Sequence, residues 1–107
     1  VAVDQILHNL LANAAHALGQ VPPGERRLTL RTWTDDTHAV LTVADTGCGI
    51  APELLTRVFE PFFTTREGGL GLGLSLCETL ATGQGGALTA AGHAPRGAVF
   101  TLTLPKA

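Results

Sequence analysis

The sequence predicts an α+β fold: a two-layer sandwich whose mixed, mostly antiparallel sheet carries helices on one face. Three observations lead there. Apolar residues recur at helical spacing at the start of the chain, and again from about residue 70. Two period-two stretches lie between these helical patterns, and two more follow the second. With 107 residues, 45% hydrophobic and 15% charged, the chain is one small domain that can bury a core rather than stay disordered.

Val3, Ile6, Leu7, Leu10, Leu11, Ala14 and Leu18 follow i, i+3, i+4, i+7 spacing and predict an amphipathic helix over residues 2–18. Gly19 and "VPPGE" stop it. "RRLTLRTWT" (26–34) alternates as a strand, "DDTH" turns the chain, and "AVLTVAD" (39–45) is a second, more apolar strand. "TGCGIAPE" reads as a loop, and Pro52-Glu53 suits the opening of a short helix over 53–58. "FEPFFTTREGG" has no clean period; residues 70–82 are helical in pattern. "GALTAAG" (86–92) and "GAVFTLTLP" (97–105) predict a closing hairpin.

Charge and composition narrow the function classes. A net charge of −2 gives no reason to expect nucleic acid or a membrane surface as partner. Aromatic residues make up 5% and tyrosine is absent, which argues against a base-stacking platform. Two cysteines are too few for a disulfide scaffold, and a reducing, cytoplasmic compartment fits them best. No apolar run reaches the roughly 18 residues that would mark a membrane span. No signal-peptide pattern opens the chain.

Three sets of residues could carry chemistry. Asn9, Asn13 and His16 share one flank of the first helix; they either mark where it meets solvent or aim polar groups at a metal or phosphate. Leu41, Val43 and Asp45 share strand parity, which puts the Asp45 carboxylate on the buried face, where it needs partners. A turn aspartate before glycine is the plainer reading, but Gly47 and Gly49 leave room there for a flat ligand. Finally, "GGLGLG" places four glycines in six residues at a helix entrance. Free N–H groups and the helix dipole favour an anion there, although a simple hinge gives the same pattern. No Gly-Lys-Ser/Thr follows, so this is not a Walker loop.

Taken in order, "NLLANAAHA" (9–17), "DTGCGI" (45–50), "FEPFFTTR" (59–66) and "GLGLGLSL" (69–76) resemble the N, G1, F and G2 boxes of sensor histidine kinases. The chain is identified as a member of their catalytic ATP-binding domains, of the Bergerat (GHKL) fold, over nearly all of residues 1–107. The resemblance implies ATP and Mg²⁺ as cofactors and a short ATP lid. Asp45 would accept a hydrogen bond from the adenine amine, with Gly47 and Gly49 flanking the base. Asn13 would hold Mg²⁺, while Asn9 and His16 would face the phosphates. Thr65 and Arg66 would touch the phosphate tail, with Gly69, Gly71, Leu72 and Gly73 around it.

The gyrase, Hsp90 and MutL-like ATPases of this fold carry a glutamate where this chain has Asn9, and an amide cannot take a proton from water. The resemblance therefore implies ATP held for a histidine on a separate dimerisation domain, with a response regulator downstream. That acceptor domain and the strands that precede the first helix in the family are expected to lie outside this chain. His16 stands where many members have lysine, and Leu70 and Ala98 where they have threonine. Cys48, between two glycines beside the base, is expected to be a packed, inert thiol. The competing readings are a serine kinase of anti-sigma type and a nucleotide-sensing or protein-interaction domain.

Overall fold

A computed structural model describes residues 2–55, 57–60, 73–93 and 96–106. Helix α1 spans Ala2–Leu18 and helix α2 spans Gly73–Gly83. Strands β1 (Leu28–Thr34), β2 (His38–Asp45), β3 (Ala87–Gly92) and β4 (Ala98–Pro105) form one sheet in the order β1-β2-β4-β3. All three pairings are antiparallel.

Register decides what faces the helices. Directly paired residues point to the same side of a sheet, so Leu30, Val43, Phe100 and Ala90 form one inward row. Thr32, Leu41, Leu102 and Leu88 form the next, and Leu28, Asp45, Ala98 and Gly92 the row at the site end. From above, α1 contributes Ile6, Leu10 and Ala14, one turn apart, and α2 contributes Cys77 and Ala81. Together with Val43, Leu88, Ala98, Phe100 and Leu102 they make a single core. Burying a side chain the size of Ile6, Leu10 or Phe100 is worth about 1.5–3 kcal/mol.

α1 packs on β2 and on α2, while α2 packs on β3 and β4. β1 therefore lies beyond the helical layer, and Leu28, Leu30 and Trp33 stay exposed along it. Arg31 places its guanidinium 5.5 Å from the Trp33 ring centroid on the opposite side of that strand.

The four predicted strands and two long helices are present, and two predictions differ from what is found. β1 starts at Leu28 rather than residue 26, because Arg26 N–H closes the 3-10 turn Pro23–Glu25 onto the Pro23 carbonyl. Its Nε also donates to the Val21 carbonyl at 3.0 Å. The short helix expected over 53–58 is a 3-10 turn, Pro52–Leu54, continued by i→i+3 bonds from the Arg57 and Glu60 N–H groups. α2 is described from Gly73 onward; residues 70–72 of the predicted helix lie outside the described residues. It ends in a Schellman motif: Gly86 N–H reaches the Ala81 carbonyl, Gly85 N–H the Thr82 carbonyl, and Gly85 adopts φ +79°.

Candidate functional site

Asp45 is the last residue of β2 and the one charged group buried among the described residues, at 1% exposure. Strand alternation sends its carboxylate under the helical layer, in line with Val43 and Leu41. Oδ1 accepts the Gly47 N–H at 2.9 Å. A carboxylate has acceptor capacity for several hydrogen bonds, so beyond the Gly47 N–H it can accept one from a ligand.

The loop after Asp45 is pressed onto the end of α1. Cys48 N–H donates to the Ala17 carbonyl at 3.3 Å, and a Cβ on Gly47 would lie 2.6 Å from Ala17 backbone atoms. Glycine at 47 thus serves the contact between loop and helix. Gly49 has φ +76°, a conformation glycine adopts without strain, and its Cβ would fall 3.2 Å from the Gly97 carbonyl. Ala17 is one helical turn beyond Asn13, so this docking carries the Asp45 loop to the stretch of α1 that bears Asn13 and His16. Asn13 is half-buried and His16 exposed.

Asn9, one turn before Asn13, is half-buried and lies near the Cys77 thiol of α2. The thiol is also 3.8 Å from the Ile6 carbonyl, toward which it donates. Burial pushes the Cys77 pKa up, opposed by the nearby Asn9 side chain, so the thiol stays protonated. Asn9 therefore sits where α1 faces α2 as well as on the flank of α1.

At the other boundary, Gly73 opens α2, with no atom of the described residues within 4 Å of where its Cβ would be. Packing of the described residues therefore does not demand glycine there. Thr65, Arg66, Gly69, Gly71 and Leu72 lie outside the described residues. Phe59, the first residue of "FEPFFTTR", packs edge-on against Phe100 with ring centroids 6.3 Å apart, which ties Phe59 itself to the core.

Two features departed from sequence reasoning. Cys48 is exposed, although its N–H is held by the Ala17 carbonyl and the glycines on either side pack against α1 and Gly97; Cys77 is the packed thiol. Gly97, absent from the expected site, has φ +122°, and a Cβ there would collide with the Asp45 carbonyl. The signal for it was a glycine directly before an alternating strand, in a row that register alone places beside Asp45. Among the described residues no cluster of three or more His, Cys, Asp or Glu side chains could hold a metal ion.

The family model for histidine kinase-, DNA gyrase B- and HSP90-like ATPases matches residues 1–107. Sensor protein TdiS of Thauera aromatica is 36% identical over 107 residues, covering 98% of this chain and 20% of TdiS. The chain spans about a fifth of the length of such relatives. Among solved structures, the mycobacterial sensor histidine kinase MprB superposes with a TM-score of 0.83 at 33% identity, over 97% of this chain and 72% of that one. Full-length ShkA in complex with AMPPNP gives 0.81 at 32% identity, over 97% of this chain and 21% of that one. The boxes in order, the buried carboxylate at the end of β2 and these likenesses converge: the chain belongs to the histidine kinase-, DNA gyrase B- and HSP90-like ATPase family, as a sensor histidine kinase catalytic ATP-binding domain.

Proposed function

We propose that this domain holds ATP with Mg²⁺ and presents its terminal phosphoryl group to a histidine on a separate dimerisation domain, from which a response regulator is served. The observation that carries this reading is Asp45. A carboxylate buried to 1% exposure, held by the Gly47 N–H and able to accept further hydrogen bonds, suits a ligand amine such as that of adenine. Its position beside Gly49 and Gly97, where backbone replaces side chains, suits a flat base. The AMPPNP complex of the similar ShkA supports a nucleotide as ligand.

The residues present fit a nucleotide and its cation. Asn13 would hold Mg²⁺, which neutralises phosphate charge when bound. Gly73 would let phosphate oxygens approach the α2 N-terminus, where free N–H groups and the dipole favour an anion. His16, one turn from Asn13 and exposed, would face the phosphates from α1. Thr65, Arg66, Gly69, Gly71 and Leu72 complete the proposed phosphate side on sequence grounds.

Phosphoryl transfer asks mainly for positioning and charge neutralisation. Hydrolysis also needs a group that orients and deprotonates water, and Asn9 does not supply it, because its amide is not a base. With γ-labelled ATP and a separately supplied acceptor-histidine domain of a sensor kinase, label is expected on the acceptor histidine, with little released as free phosphate. Rapid release of phosphate without labelled acceptor would contradict the proposal and indicate a hydrolase.

A further inference from the structure

Two turns far apart in the chain grip the backbone around Asp45. On one side, Thr46 Oγ1 donates to the Glu25 carbonyl at 2.6 Å and accepts the Arg27 N–H at 2.7 Å. Thr46 N–H returns a bond to the Arg27 carbonyl at 3.1 Å. On the other side, the turn between β3 and β4 closes through His93 N–H on the Gly97 carbonyl at 3.1 Å. That turn brings Gly97 against the Asp45 carbonyl and Gly49. The two grips are joined to each other: Arg96 Nη2 donates to Glu25 Oε1 at 2.8 Å, across 71 positions of sequence.

We infer that the Glu25–Arg96 ion pair is a positioning element of the nucleotide site, closing a ring of contacts that fixes where Asp45 and Gly49 stand. The inference rests on the nucleotide reading above and adds residues to it that lie in neither the glycine loop nor the helices. Arg96 also lines, with Cys48, Gly49, Ile50 and His93, a cavity of about 620 Å³ that opens beside the loop. When the pair is broken, Thr46 still holds the 25–27 turn, but the β3–β4 turn loses its tie to it. Gly97 then has more freedom to move off Gly49, and the site must be ordered at the moment of binding. Both side chains are about half exposed, 44% and 55%, so the effect is modest and screened by salt.

The test is ADP affinity by calorimetry, with melting temperature alongside, on the full chain and on Glu25→Gln, Arg96→Gln and the reversed pair Glu25→Arg with Arg96→Glu. Each single variant is expected to weaken ADP binding about two- to fivefold at low ionic strength, the range an exposed ion pair supports. The reversed pair should recover most of that loss, and all four proteins should converge in roughly 1 M salt. Single variants that melt earlier but bind ADP as tightly as the parent would overturn the inference, assigning the pair to stability alone. A reversed pair no better than the singles would overturn it as well. If the parent chain itself binds no ADP, the nucleotide reading fails and takes this inference with it.

Discussion

Asp45 and Cys48 stand three residues apart and show how far a side chain's fate follows from its sequence neighbours. The burial of Asp45 is legible from strand parity with Leu41 and Val43, because alternation is a geometric property of any strand. The exposure of Cys48 is not, since the loop's path depends on where Ala17 and Gly97 stand. Alkylation followed by mass spectrometry checks the difference. One equivalent of iodoacetamide is expected at Cys48 in the folded chain, with Cys77 reacting only after unfolding. Early labelling of Cys77 would contradict the packing of α2.

Asp35 gives a second residue-scale prediction. Its Oδ1 accepts the backbone N–H of Thr37 at 2.8 Å and of His38 at 2.7 Å. These bonds, the Thr37 one first, hold the carboxyl below the ordinary aspartate range. A depressed folded-state pKa stabilises the fold at pH above the unfolded value, and that contribution is lost as pH falls through the folded one. The melting temperature of Asp35→Asn should therefore lie below that of the parent at neutral pH. The gap should close on the acidic side of about pH 4, the ordinary aspartate pKa. A gap that persists in acid would assign it to the turn's shape instead of its charge.

Among the elements, α1 does two things at once. Its Ile6, Leu10, Ala14 face fills the core, and its C-terminal turn docks the Asp45 loop through the Ala17 carbonyl. The first role was plain in the 3.6-residue period of the apolar positions; the second rests on one backbone carbonyl and leaves no mark in side-chain pattern. Leu10→Ala tests the first. At 0% exposure, this truncation should cost about 2–5 kcal/mol in denaturant unfolding. A loss under about 1 kcal/mol would mean the site collapses around the smaller side chain.

The edges of elements were the least legible part. The 26–27 segment alternates like a strand, yet its N–H groups serve the 3-10 turn and Thr46. The segment after Pro52 has helix-forming residues but settles into successive i→i+3 turns, with Val58 buried and Phe59 drawn down against Phe100. In both places a tertiary partner took the backbone group or side chain that local pattern had assigned elsewhere.

For the molecule as a whole, the functional claim rests on topology. The order β1-β2-β4-β3 sets the end of β2 beside the start of β4, which makes Asp45, Ala98 and Gly92 neighbours although they come from three separate stretches of sequence. α1 and α2, lying over β2 and over β3–β4, bring Asn9, Asn13 and Gly73 into the same layer. The box motifs announced this family, while the two-sided grip on Asp45 became visible only once the layers were assembled. Among the described residues no helix is long and apolar enough to cross a membrane.

The most direct test of the account is a calorimetric titration with ADP in the presence of Mg²⁺, run on the parent chain and on Asp45→Asn. The account predicts saturable binding by the parent. It also predicts at least a tenfold loss in the variant, about 1.4 kcal/mol, with the fold retained by circular dichroism. Equal affinity in the two proteins would remove Asp45 from the base site and contradict the central claim.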